Sequence, residues 1–169
     1  MEQSLTAGGV AKRNWTWRQP GVVAGRAVIF DVDGVLSDAA SRQHYLEGRR
    51  RDWEAFFDSC GDDPLIEEVA RLLGLLDDTL SIVLLTARPS WVAPQTLAWL
   101  ARYKLRWDLL VMRDRGDYES APDFKRRSVR ELRDFGFEAL LAFEDDRRNV
   151  EMFHEEGIPA VYIHSGYYD

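Results

Sequence analysis

The run Ala27-Val28-Ile29-Phe30 breaks off into Asp31-Val32-Asp33-Gly34, and this junction constrains the chain more than any other stretch. Apolar residues without alternation suit a strand buried on both faces, as in the middle of a parallel sheet. Such sheets offer ligands the carboxyl ends of their strands. Along extended chain the side-chain period is two, so Asp31 and Asp33 lean toward one site, and Gly34 lets the backbone turn away at low steric cost. Carboxylates this close repel unless a proton or a hard cation sits between them, and an oxygen-rich pocket suits Mg²⁺. The competing reading of the same residues is an Asx turn that closes an ordinary strand.

The rest of the chain repeats the pattern. Apolar strands are expected over 81–85, 109–112, 140–143 and 159–163, alternating with helices over 64–76, 94–103, 123–135 and 147–156. Pro64 and Pro94 suit first turns of helices, and Gly136 and Gly157 suit their ends. Strands alternating with helices predict an α/β fold of three layers, a five-stranded parallel sheet covered on both faces. Polar clusters stand at or beyond the strand ends: Asp31 with Asp33, Thr86 with Arg88, Lys125 slightly later, and Asp145 with Asp146. Four loops would then converge on one pocket.

Residues 1–25 mix Gly, polar residues and the unit Trp15-Thr16-Trp17, which reads as a flexible arm with the tryptophans docked on their own domain. Residues 26–169 form the single domain that a length of 169 residues suggests. Within it, residues 39–61 carry Arg42, Arg49-Arg50-Arg51 and a short helix with Trp53, Phe56 and Phe57 on one side. This insert is too short for its own core, so it is expected to be a flap and not a second domain. Its arginines can reach a substrate phosphate or form a solvated face.

A formal net charge of -7 opposes extensive coating of nucleic acid, although it allows the grip of a single phosphate. The single cysteine, Cys60, forms no disulfide within the chain, which suits a reducing cytoplasm. No apolar run approaches the length of a membrane span. His44, His154 and His164 show no metal-ligand spacing and read as surface or packing residues.

Through Asp31-Val32-Asp33-Gly34-Val35, Thr86, Lys125 and the acidic pair Glu144-Asp145, the sequence resembles the haloacid dehalogenase superfamily of phosphatases. Within it, Met112-Arg113 with Gly116-Asp117 and Lys125, Asp145-Asp146-Arg147 with Val150-Glu151-Met152, and Ser165-Gly166 resemble the phosphatase domains of bacteriophage polynucleotide kinase-phosphatases. The likeness runs from about residue 26 onward. No Gly-x-x-x-x-Gly-Lys-Ser/Thr loop occurs, so it extends to the phosphatase half alone. The resemblance implies a Rossmann-like fold without a separate cap domain and a Mg²⁺-dependent phosphomonoesterase. It implies that Asp31 attacks phosphorus and that Asp33 protonates the leaving oxygen and then activates water. Thr86 and Lys125 would stabilise charge, and Val32, Gly34, Ala87, Arg88 and Arg42 would bind phosphate or substrate. Metal would be held by Asp31, Asp33, Asp145 and Asp146. Glu144 stands where the superfamily usually has glycine, which leaves Asp145 as the favoured ligand with Glu144 or Asp146 assisting.

The resemblance further implies a nucleic-acid 3′ phosphate as substrate and a separate kinase or ligase as partner. The alternatives are a small-molecule phosphatase acting on a nucleotide or sugar phosphate, and a silent phosphate-binding module.

Overall fold

The computed structural model describes residues 12–168. Its centre is the strand β2, Arg26–Phe30, which ends where the carboxylates begin. Val28 and Phe30 join one buried cluster while Ala27 and Ile29 join another, so both faces of this strand are covered. The same alternation runs through β3, Ser81–Pro89, and β4, Leu109–Arg113. Full burial of a side chain such as Ile29 or Phe30 contributes on the order of 1.5–3 kcal/mol.

Two helices, α2 over Glu67–Leu75 and α3 over Ala93–Arg102, supply Val69, Leu73, Trp99 and Leu100 to the first cluster. The opposite face is covered by α4, Ala121–Phe135, and α5, Arg147–Glu155, through Phe124, Val129, Leu132, Met152 and Phe153. The result is the expected three-layer α/β fold. Among the described residues its sheet, however, has six strands where five were expected, in the order β1-β4-β3-β2-β5-β6. The strands β5, Glu138–Glu144, and β6, Ala160–Tyr162, extend it parallel on one side of β2, and β3 and β4 extend it parallel on the other. Thus β2 lies where the strand order changes direction, the usual ligand position of such sheets.

The additional strand is β1, Trp15–Trp17, which pairs antiparallel with β4. It lies within the segment read from sequence as a loose arm, and its burial explains the difference. Trp15 is buried in the second cluster, and the Trp15 and Trp17 rings lie 5.3 and 5.5 Å from Phe135. Three extended residues suffice for an edge strand when two indoles bury this much apolar area. The remainder of the expected arm, residues 1–11, lies outside the described residues.

Helix α2 also starts later than expected. Pro64 precedes it instead of entering its first turn, because the chain there is extended against the loop after β2. Asp38 N donates to Pro64 O at 2.9 Å and Ile66 N to Leu36 O at 2.8 Å. Helix α4 starts earlier than expected, with Pro122 in its first turn, a Ser120 cap on Asp123 N at 3.2 Å, and Gly136 at φ +118 to end it.

Residues 39–61 contain a 3₁₀ segment Ala40–Leu46, the helix α1, Trp53–Asp58, and a second 3₁₀ segment Ser59–Asp62. Its buried members, Ala39, Arg42, Phe56 and Cys60, pack onto the main domain or reach into it. Among the described residues no helix is long and apolar enough to cross a membrane.

Candidate active site

Asp31 follows the last residue of β2, and its backbone N–H continues the ladder to Phe143 O at 3.0 Å. Its Oδ1 accepts from the Val32 N–H at 2.8 Å and lies 3.1 Å from Lys125 Nζ. Lys125 comes from the first turns of α4 and also donates to Glu144 Oε2 at 2.7 Å. Glu144, the last residue of β5, accepts in addition from the backbone N–H groups of Asp145 and Asp146 at 3.1 and 3.3 Å. Carboxylate oxygens of Asp31, Glu144 and Asp145 lie within 4.8 Å of one another. All three residues are buried.

Three carboxylates thus share one ammonium. Burial disfavours charge on Lys125, yet Asp31 and Glu144 outweigh it and hold the ammonium above its usual range. Burial and the Glu144 carboxylate raise the Asp31 carboxyl well above its usual range, against the pull of Lys125. Asp145 is pushed up to about 7, chiefly by burial. Both of its carboxylate oxygens are buried without a hydrogen-bond partner among the described residues. Orphaned acceptors at such a position are costly, and two of them facing other carboxylates form a donor set suited to a hard cation. The residues present therefore fit Mg²⁺.

Gly34 makes this arrangement possible. It sits at φ +79, and a Cβ built on it would lie 2.1 Å from Asp145 Oδ2. The turn needs glycine both for its backbone angle and for the close approach.

Asp33 is placed elsewhere than the sequence reading put it. Its Oδ1 accepts from Arg42 at 2.8 Å and from Arg88 at 2.6 Å, and Arg88 Nε lies 3.2 Å from Oδ2. Burial alone would raise this carboxyl, but Arg88 and Arg42 outweigh it and hold it below its usual range. Neither arginine points free into the pocket, since Arg42 also forks onto Asp63 at 2.8 and 2.6 Å and Arg88 also donates to Thr96 Oγ1 and Ser37 Oγ, each at 3.1 Å. Asp63 completes the set by accepting from Ser37 Oγ at 2.5 Å. Two guanidinium groups face two carboxylates, so the buried network is neutral.

Of the other expected residues, Thr86 is buried near the end of β3 and accepts from Arg88 N at 3.1 Å, with its hydroxyl hydrogen available to a ligand. Ala87 follows it at half-burial. The Val32 and Gly34 amides, expected to cradle phosphate, are engaged by Asp31 Oδ1 and by Ser37 O. Asp146 is turned away from the cluster, capping α5 through Arg148 N at 3.0 Å and pairing with the Arg148 guanidinium at 2.7 Å. Arg49, Arg50 and Arg51 are exposed, and so are His44, His154 and His164.

Sequence reasoning did not single out Asp63, Ser37 or Thr96. Asp62-Asp63 before Pro64 reads as an ordinary loop, and only the tertiary approach of Arg42 gives Asp63 its role. The tail stood out in the sequence only through the resemblance carried by Ser165-Gly166. In the fold it returns to the site: Ser165 Cβ comes within 3.1 Å of the position a Gly34 Cβ would take, and Tyr167 OH donates to Asp38 Oδ1 at 3.1 Å.

The family model of the polynucleotide kinase PNKP phosphatase domain matches residues 25–168. A chain of the solved Pnkp1/Rnl/Hen1 complex aligns with a TM-score of 0.70 and 26% identity, over 95% of this chain and 53% of its own. The present chain therefore spans about half the length of that relative. The class C acid phosphatase from Bacillus anthracis with tungstate bound shares the fold at a TM-score of 0.60 and 13% identity, over 88% of this chain and 70% of its own. No curated protein sequence matches the chain.

Proposed function

The chain belongs to the family of the polynucleotide kinase PNKP phosphatase domain, a haloacid-dehalogenase-type phosphatase, and from that premise we propose that it removes the phosphate from 3′-phosphorylated nucleic-acid ends with Mg²⁺. The observation that carries the reading is Asp31, fixed through one carboxylate oxygen by Val32 N and Lys125 beside the unpartnered oxygens of Asp145.

Asp31 and Asp145 would hold the cation, with Glu144 orienting both through Lys125 and the Asp145 amide. When bound, the metal supplies neutralisation of charge among Asp31, Asp145 and the phosphate. Val32 N and Lys125 fix Asp31 Oδ1, which leaves Oδ2 to attack phosphorus. The aspartyl O–P bond forms, the P–O bond to the 3′ oxygen breaks, and Asp33 gives that oxygen a proton. In the second step water adds to phosphorus, the aspartyl O–P bond breaks, and Asp33 takes the proton from the water.

The arginine contacts keep Asp33 charged, which suits the second step. For the first step it must carry a proton, so the incoming phosphate would draw Arg42 or Arg88 away from it. Thr86 would donate its hydroxyl to a phosphate oxygen, with Ala87 beside it. Lys125 would stabilise charge on the transferring group.

We take residues 26–169 as the catalytic domain and residues 39–61 as its flap, which brings Arg42 to Asp33. A reducing cytoplasm suits the free, buried Cys60. The relationship to a chain from a Pnkp1/Rnl/Hen1 complex supports a separate kinase or ligase as partner. A phosphatase panel of 3′-phosphorylated oligonucleotides, mononucleotides, sugar phosphates and an aryl phosphate tests the proposal. The 3′-phosphorylated oligonucleotide is expected to be the best substrate, and all turnover is expected to stop in excess chelator. Preference for a mononucleotide or sugar phosphate, or full activity in chelator, would overturn it.

A further inference from the structure

A cleft of about 270 Å³ opens beside Asp145, lined by Asp146, Arg147, Arg148, Tyr162 and Tyr168. The reaction described above uses none of these five side chains. Asp146 fixes Arg148 by two contacts, Nε–Oδ1 at 3.1 Å and a terminal nitrogen to Oδ2 at 2.7 Å, and this guanidinium lies 5.8 Å from the Tyr168 ring. Arg147 lies 4.9 Å from the Tyr162 ring. Arg147 is exposed and, among the described residues, has no carboxylate partner. Tyr162 is held in turn by its hydroxyl, 2.9 Å from His164 Nδ1. The cleft thus presents two aromatic rings, one of them held through its hydroxyl, a guanidinium whose charge is already balanced and one whose charge is not.

The geometry points to this cleft as the subsite for the terminal nucleoside and the next phosphodiester of a 3′-phosphorylated strand. The inference rests on the proposed function, because it takes the acidic cluster as the place of the 3′ phosphate. The cleft begins at Asp145, at the edge of that cluster, so it lies open to a nucleoside carried on the phosphate. Its volume lies near the lower end of small-ligand sites, about 300 Å³, which is room for one nucleoside and not for a duplex. Tyrosine rings stack on any base, as in single-strand binding. The unbalanced guanidinium suits the one anionic group such a strand adds at this distance, the diester on the 5′ side of the terminal nucleoside. The chain's net charge of -7 agrees with a contact limited to one or two phosphates.

The test measures kcat/KM for a 3′-phosphorylated dinucleotide, in ribose and deoxyribose forms, and for a nucleoside 3′-phosphate. The substitutions are Arg147→Ala and Tyr168→Leu, both at exposed positions, with thermal melts to verify folding. In the unmutated protein the dinucleotide is expected to exceed the mononucleotide by about tenfold, the scale of one phosphate contact. Arg147→Ala should bring that ratio toward one through KM, with kcat little altered, and the unmutated ratio should also fall with added salt. Tyr168→Leu should raise KM for both nucleotides by about tenfold, as loss of one stacking contact does. Unequal ratios for the ribose and deoxyribose forms would assign the natural strand, still within the inference. An unmutated enzyme that prefers 3′-phosphorylated strands, with the ratio unchanged in Arg147→Ala and KM unchanged in Tyr168→Leu, would overturn the cleft assignment and leave the proposed function standing. Mg²⁺-dependent hydrolysis of an aryl phosphate without any 3′-phosphatase activity would overturn both.

Discussion

Asp145→Asn should make the metal-free protein more stable while removing its response to Mg²⁺. Among the described residues, Asp31 and Glu144 pair with Lys125, Asp145 lies beside them, and both Asp145 oxygens are buried without a hydrogen-bond partner. Burial pushes this carboxyl up to about 7 from an ordinary 3.8. Because the folded protein binds the proton more tightly than the unfolded chain, the protonated carboxyl's stabilisation is complete below about pH 4 and is lost as pH rises through about 7. At about 1.4 kcal/mol per pH unit, the gap amounts to a penalty on the order of 4 kcal/mol above that range. Asparagine keeps the shape and removes the charge, and its amide can donate to the neighbouring carboxylates.

In chelator at pH 8, the variant should therefore melt on the order of 10 °C above the unmutated protein, given roughly 2–4 °C per kcal/mol for a domain of this size. As pH falls toward about 4 the two curves should converge. Added Mg²⁺ should raise the melting temperature of the unmutated protein in proportion to the logarithm of its concentration, and the variant's far less. Melts followed by circular dichroism give every quantity. A variant less stable than the unmutated protein at pH 8 in chelator, or an equal Mg²⁺ response in both, would refute the reasoning.

Gly34→Ala should cost about 1–2 kcal/mol from its left-handed backbone alone, and its Cβ would displace Asp145, so most phosphatase activity should vanish. Near-normal kcat in that variant would contradict the close approach. Asp63→Asn should leave Arg42 and Arg88 facing only Asp33, at a cost of about 3–5 kcal/mol for breaking a buried charge network. Chemical denaturation measures it, and a loss below about 1 kcal/mol would show that the network is not held by charge.

The sheet was legible because β2, β3 and β4 are apolar on both faces, a pattern that few alternatives share. Strand β1 was not, since three residues carry too little periodicity and the Trp15 and Trp17 contacts with Phe135 are tertiary. The late start of α2 was hidden for a related reason: Pro64 is equally at home in a first turn and in the extended pairing with Asp38. At the site, the placing of Asp31 and Asp145 at strand ends, with Lys125 early in the helix before β5, foretold their meeting. The partner of each acid was less accessible. Asp33 and Asp146 stand beside Asp31 and Asp145 in sequence, yet Arg42, Arg88 and Arg148 draw their side chains away. Those pairings span up to 55 residues in sequence and depend on how the layers pack. Glu144 entered the sequence reading only as an assistant, and its burial between Lys125 and two amides gives it the larger structural role.

Asp31 is the group proposed to take the phosphate. Mass spectrometry of the protein, acid-quenched during turnover of a 3′-phosphorylated oligonucleotide with Mg²⁺, addresses that directly. The expected result is a phosphoryl group on the peptide that carries Asp31, with neither that adduct nor turnover in Asp31→Asn, whose melt should show an intact fold. Near-normal turnover by Asp31→Asn, or a phosphoryl group on a different residue, would contradict the account.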